Sequence, residues 1–153
     1  MKKNILYFSY DGLLEPLGKS QILPTLFNLS KSYKVYVISF EKRNLLKKNL
    51  SSNFIELISE NEIEWYNIGY SNLRFLKIIS FIKAFFIISY ILIFHNIYLI
   101  HIRSYIPGLI LFPFLILKKI RLIFDIRGFW PEEKIDRNSW KNTDLKFVLF
   151  KKL

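Results

Sequence analysis

The sequence predicts an α/β fold, a Rossmann-like parallel sheet with helices on both faces. Three observations predict it. Short apolar runs alternate with longer segments of helical periodicity along most of the 153 residues. The strand candidates are almost continuously apolar, as parallel strands covered on both faces must be. Strand and helix follow each other in the order of βαβ units.

The elements follow in chain order. Ile5-Leu6-Tyr7-Phe8-Ser9 predicts a first strand. Lys2 and Lys3 ahead of it resemble the start of a signal peptide, but the apolar run is too short and ends in Ser9-Tyr10-Asp11-Gly12 without a small-residue cleavage site. Residues 19–32 predict a helix, with Ser20 as its cap and Pro24 near its first turn. Residues 35–40 predict the second strand. Leu46, Leu50, Phe54, Leu57 and Ile58 fall at helical spacing and predict one helix over 45–60. Residues 63–68 predict a third strand, closed by Gly69, and 73–94 a long helix. Residues 97–102 predict strand four, Pro107 opens a helix ending near Lys118-Lys119, and 122–126 predict strand five. Residues 1–140 then form one Rossmann-like domain. Residues 141–153 read as the start of a further helix that stops under way, since no Gly or Pro follows Asp144.

Composition narrows the function classes. There are 23 Lys and Arg against 12 Asp and Glu, a net charge of +11. That balance implies an anionic partner: nucleic acid, a phosphorylated ligand or an anionic membrane surface. The basic residues are scattered, with no basic stripe interleaved with aromatics, which argues against nucleic acid. The absence of Cys excludes disulfides, thiolate zinc sites and a cysteine nucleophile, and fits a cytoplasmic setting. With two His, a His-rich metal site is not expected. Hydrophobic residues at 52% exclude a disordered chain.

Residues 75–94 approach the length of a membrane span. Lys77 and Lys83 lie inside that run, and each costs a few kcal/mol within a bilayer. The lysines favour a core helix with part of its surface against a membrane. A protein with two true spans is the alternative.

On a parallel sheet, ligands bind beyond the carboxyl ends of the strands, so chemistry is expected in the loops after strands one, four and five. The first loop contains Gly12 and Gly18, which allow close backbone approach, and leads to Ser20 and Gln21 at a helix start. Phosphate or sugar hydroxyls suit such a place, and a plain turn with a cap accounts for it equally. Gly18-Lys19-Ser20 also resembles the end of a nucleotide-binding P-loop, but the first glycine of that motif would fall on Leu13. His101-Ile102-Arg103-Ser104 closes strand four. There Arg103 suits a phosphate or carboxylate, or is a solvated rim residue. After strand five, Asp125 and Arg127 fall on one side of the chain. They form an ion pair, or a carboxylate that acts on a hydroxyl beside an Arg that steadies a leaving phosphate. Trp130 suits stacking on a sugar face, and Glu132 suits sugar hydroxyls or a helix start.

Together these stretches resemble the N-terminal domain of family 4 glycosyltransferases. The resemblance rests on Ile5-Leu6-Tyr7-Phe8-Ser9-Tyr10-Asp11-Gly12, Leu17-Gly18-Lys19-Ser20-Gln21-Ile22-Leu23-Pro24, residues 35–42, His101-Ile102-Arg103-Ser104 and Asp125-Ile126-Arg127-Gly128-Phe129-Trp130. It runs over about residues 4–140 and implies a GT-B architecture, two Rossmann-like domains facing a cleft. The N-terminal domain of such an enzyme binds the acceptor, a glycan or lipid-linked glycan. The C-terminal domain binds a nucleotide-sugar, and transfer is retaining and metal-free. Many such enzymes work against the inner face of an anionic membrane, which would give the charge and residues 75–94 one rationale.

The resemblance makes Asp125 and Arg127 the catalytic candidates. Gly12, Gly18, Ser20, Gln21, Arg103, Ser104, Trp130 and Glu132 become substrate-binding candidates. Two departures stand out. Many members carry a His where this chain has Arg127, and Arg cannot act as a base at neutral pH, so Asp125 becomes the nearest group to orient an acceptor. The donor-binding half and its paired glutamates are missing from these residues, so the chain alone is expected to be inactive without a donor-domain polypeptide. A non-enzymatic membrane-surface module and a P-loop-like nucleotide-binding protein are the alternatives.

Overall fold

A computed structural model describes residues 2–71, 73–117, 119–126 and Lys141. Five parallel strands form one sheet in the order β3-β2-β1-β4-β5. They are β1 (Lys3–Ser9), β2 (Tyr33–Lys42), β3 (Ile63–Tyr70), β4 (Ile97–Arg103) and β5 (Arg121–Asp125). The expected Rossmann-like α/β fold is therefore present. Of the helix expected over 141–153, all but Lys141 lies outside the described residues.

The period of two along each strand sends alternate side chains to two helical layers. Leu6, Phe8, Tyr36, Ile38, Phe40 and Ile102 form one core with Ala84, Ile88 and Ile91 of α4 (Arg74–Phe94) and Leu111 of α5 (Tyr105–Leu117). Ile5, Tyr7, Val35, Val37 and Ile63 form the other. There they meet Leu26 of α1 (Leu23–Ser30) and Ile58 of α3 (Ser52–Glu60).

Several boundaries differ from the sequence pattern, each for a local reason. The first helix starts early: backbone is helical from Pro16 and passes through a π-helical turn, Gly18–Ile22, into α1. Proline suits such a start because its missing N–H would have no partner there. Ser20 is consequently inside the helical segment, where its hydroxyl donates to Leu17 O at 3.4 Å rather than capping. The single helix expected over 45–60 is two, α2 (Arg43–Asn49) and α3. Ser51 divides them, with extended backbone and an Oγ that accepts from Phe54 N at 3.2 Å.

β2 and β3 run longer than their apolar cores, because Glu41 and Lys42 still pair with Gly69 and Tyr70. Gly69 thus continues the strand it was expected to close. Its carbonyl accepts from Ser80 Oγ of α4 at 3.1 Å. α5 opens at Tyr105, which puts Pro107 in its first turn, where no N–H is needed.

α4 lies along the sheet with Ser80, Ala84, Ile88, Ile91 and Leu92 buried. Among the described residues it is the only helix long and apolar enough to cross a membrane. Its other side is bare: Phe75, Ile78, Ile82, Phe86, Ile93 and Phe94 are all more than half exposed.

Candidate functional site

The strand order reverses between β1 and β4, because the chain leaves β1 towards β2 and β3 and returns on the other side to β4. The loops at the carboxyl ends of β1 and β4 therefore diverge, and the crevice between them is where open parallel sheets bind ligands. Asp11, Gln21, Arg103 and Asp125 meet there.

The loop after β1 is locked to β2. Glu41 is fully buried, and its carboxylate accepts from Leu13 N at 2.6 Å, Leu14 N at 3.2 Å and Ser39 Oγ at 2.7 Å. Ser39 Oγ in turn accepts from Trp65 Nε1 of β3 at 2.8 Å. Burial pushes the Glu41 pKa up, and the hydrogen bonds from Ser39 and the two amides oppose that rise. Gly12 and Gly18 complete the closure. A Cβ on Gly12 would overlap the Glu41 carboxylate, and one on Gly18 would overlap Gly12 O. The close approach these glycines permit is thus to the protein's own chain. Lys19 N donates to Glu15 O at 2.9 Å, so the amide a P-loop would aim at phosphate is already used.

Arg103, at the end of β4, is 5% exposed. Its Nη2 donates to Gln21 Oε1 at 2.7 Å. Its Nε lies 3.6 Å from Asp11 Oδ2, and its Nη1 lies 3.6 Å from Asp125 Oδ2 at the end of β5. The solvated-rim reading of Arg103 is therefore corrected, since the neighbouring strands and the π-helical turn cover it. Burial pushes the Asp11 carboxyl up, and the Arg103 charge pulls against it. Burial likewise raises the Tyr7 phenol, which sits against the same guanidinium. His101, two residues before Arg103, stacks at 4.6 Å on Tyr7, and burial lowers its pKa. It is held neutral at pH 7. Ser104 adopts a left-handed backbone, φ 82°, and its N–H donates to Asp125 O at 3.2 Å. A non-glycine residue keeps that conformation only where its surroundings enforce it.

Of the sequence-derived candidates, the fold joins Gln21, Arg103, Ser104 and Asp125 directly. Gly12 and Gly18 shape the adjoining loop, and Ser20 is exposed on the π-helical turn. Arg127, Trp130 and Glu132 lie outside the described residues. Asp11 and Glu41 were not singled out from sequence. Asp11 follows β1 directly, and Glu41 is an acid at the end of a buried strand, so both left a signal. Among the described residues no three His, Asp or Glu side chains come together as a metal site.

A hollow of about 730 Å³ opens at the opposite end of the strands between Lys2, Lys34, Glu62 and Glu64. Its lysines are already paired, Lys2 with Glu62 at 2.6 Å and Lys34 with Glu64 at 3.7 Å. It lies at the amino ends of the strands, so the switch-point crevice is the stronger candidate.

No family model matches the chain, and no curated protein matches it. Its fold is similar to two crystal structures of the C-terminal domain of a hydrogenase from Pyrococcus furiosus, solved over different residue ranges. One superposes with a TM-score of 0.57 at 12% identity, over 81% of this chain and 93% of the other. The second has a TM-score of 0.57 at 11% identity, over 82% and 93%. At such identity the likeness is one of fold. Fold and crevice thus define an α/β Rossmann-like domain with a charged switch-point site.

Proposed function

We propose that the chain is the acceptor-binding half of a retaining glycosyltransferase of GT-B type. It would move a sugar from a nucleotide-sugar to a glycan or lipid-linked acceptor. One observation carries the reading. Gln21, Arg103 and Asp125, from three separate stretches that resemble family 4 glycosyltransferases, converge at the switch point of one parallel sheet. An acceptor hydroxyl seated there meets the Asp125 carboxylate, which accepts its hydrogen bond and orients its oxygen. Arg103, whose Nη1 lies 3.6 Å from Asp125 Oδ2, keeps that carboxylate aimed. The donor is bound by a second sheet outside these residues, so they transfer nothing alone.

The test is reconstitution. The chain is co-expressed with a donor-binding polypeptide encoded beside it, and transfer of labelled sugar from nucleotide-sugars to extracted lipid and glycan is measured. Transfer that needs both polypeptides is expected. No transfer with any such partner overturns the reading.

A second reading, a non-enzymatic membrane-surface module, is favoured by a separate observation. Residues 65–124 contain no Asp or Glu but include Arg74, Lys77, Lys83, Arg103, Lys118, Lys119 and Arg121. The exposed apolar sides of α4 and α5 belong to this stretch, with Leu109, Phe112 and Ile116 bare on α5. Apolar area and positive charge together suit an anionic lipid surface. Flotation with anionic vesicles, but not neutral ones, is expected, and the cytoplasmic face of the membrane is the surface proposed in either reading. A chain that stays in the soluble fraction with both vesicle types overturns membrane binding.

A further inference from the structure

A separate hollow of about 360 Å³ opens over the carboxyl ends of β2 and β3, lined by Lys42, Arg43, Asn44, Tyr70 and Ser71. That volume falls within the range of ligand sites, about 300–1,000 Å³. Lys42 and Tyr70 are the last residues paired between the two strands. The hollow therefore lies at the same end of the sheet as the crevice, but on the other side of β1.

Every side chain of its wall can donate a hydrogen bond, and none is a carboxylate. Lys42 is bound to Glu15 at 2.8 Å, which neutralises that acid. The side chains of Arg43, Asn44 and Ser71 and the Tyr70 hydroxyl have no hydrogen-bonded or ionic partner among the described residues. Burial, and after it the Glu15 charge, pushes the Tyr70 pKa up to about 12, so the phenol keeps its proton at neutral pH. The stem of Arg43 rests against Gly69 of β3, where a Cβ would come within 3.6 Å of Arg43 Cγ.

The surroundings are positive as well. Residues 42–55 contain no Asp or Glu, and neither do residues 65–124. Lys47 follows Arg43 by one turn on the same face of α2, and both are exposed. The hollow at the amino ends of the strands differs here, because Glu62 and Glu64 engage its lysines. An unpaired guanidinium among uncharged donors matches the several acceptor oxygens of a phosphate.

We propose that this hollow binds the phosphate group of a phosphate-bearing ligand. Arg43 makes the charged contact, and Asn44, Tyr70 and Ser71 donate to the remaining oxygens. The site uses none of the residues assigned to acceptor binding, so it stands or falls separately from the transferase reading. A soluble phosphoester and a lipid headgroup present the same chemistry to it.

The experiment is an amide-resolved NMR titration of the isotope-labelled 153-residue chain at constant ionic strength. Glycerol 3-phosphate, pyrophosphate and acetate are the probes. The two phosphates are expected to shift the amides of Arg43, Asn44, Tyr70 and Ser71 to saturation, and acetate is not. Arg43→Gln should weaken glycerol 3-phosphate binding roughly tenfold and Tyr70→Phe roughly threefold, the losses of a charge-assisted and a neutral hydrogen bond. Lys31→Ala removes one positive charge beyond α1, at the other end of the sheet, and should bind as the wild type does. Arg43 is exposed, so Arg43→Gln should melt with the wild type. Unsaturable shifts scattered over the surface lysines overturn the inference, as does an Arg43→Gln chain that titrates like the wild type. Vesicles containing phosphatidic acid then separate the two sources. Flotation reduced in Arg43→Gln but not in Lys31→Ala assigns the site to a lipid headgroup. Flotation unchanged in both, with glycerol 3-phosphate binding weakened in Arg43→Gln, assigns it to a soluble ester.

Discussion

β1 and β2 lie in one sheet with β4 and β5, yet the two pairs have different surroundings. Residues 5–9 of β1 and 35–41 of β2 are all buried, between α4 on one face and α1 with α3 on the other. In β5, every residue is exposed or half-exposed, and Leu122, Ile123 and Phe124 stand 39–47% open. The strand sequences are similarly apolar, so hydrophobic content does not explain the contrast. Cover does. Helices of both layers close over β1 and β2, whereas β5 is an edge that α5 shields only in part. The first pair holds the fold together, and the second leaves surface and charge for a partner. Between them lies the crevice.

Breaking the closed side should have the largest effect. Glu41→Ala strips the acceptor from two buried amides and the Ser39 hydroxyl at once, and should cost about 4 kcal/mol of unfolding free energy. Urea denaturation measures it. A loss below about 1 kcal/mol would mean that the loop is held by something else. Next comes a contrast within one helix. Ile88→Ala, on the buried side of α4, should cost about 3 kcal/mol through its cavity. Ile82→Ser, on the bare side, should stay within about 0.5 kcal/mol and yet reduce flotation with anionic vesicles. Equal losses in the two variants would erase the distinction between the faces.

The smallest effect concerns pH. Burial sets the folded-state pKa of His101 below its ordinary 6.5, so protonation favours the unfolded chain. The contribution is present above pH 6.5 and is lost as pH falls through the lowered folded-state value. Unfolding midpoints measured on the acid side of neutrality should therefore decline for the wild type, and His101→Gln should flatten that slope. A steeper slope in the variant would contradict the sign.

Much of this architecture is legible in the residues, because burial on both faces leaves an unmistakable mark. Ile5-Leu6-Tyr7-Phe8-Ser9 can hardly be anything but a central strand. Gln21, Arg103, Ser104 and Asp125 stand out by position, since ligand edges of parallel sheets lie at strand ends. Other features depend on contacts distant in sequence. Glu41 looks like a strand terminus until the Leu13 and Leu14 amides are seen to rest on it. Gly12 and Gly18 show that something must approach closely, but not that the neighbour is Glu41 in one case and Gly12 in the other. The break between α2 and α3 is masked by Leu46, Leu50 and Phe54 at helical spacing, although Ser51-Ser52-Asn53 carries a capping signal. Arg103 shows the limit most clearly. Its type suggests an anionic ligand, and only its neighbours reveal that its charge is already used.

The central claim is that the β1–β4–β5 edge seats the acceptor of a sugar transfer. Initial rates of labelled-sugar transfer by the reconstituted pair test it most directly, with the wild-type chain compared with Asp125→Asn and with Lys31→Ala, which lies beyond the C-terminus of α1. Transfer should fall about a hundredfold or more in Asp125→Asn and remain unchanged in Lys31→Ala. Wild-type rates in Asp125→Asn would contradict the claim.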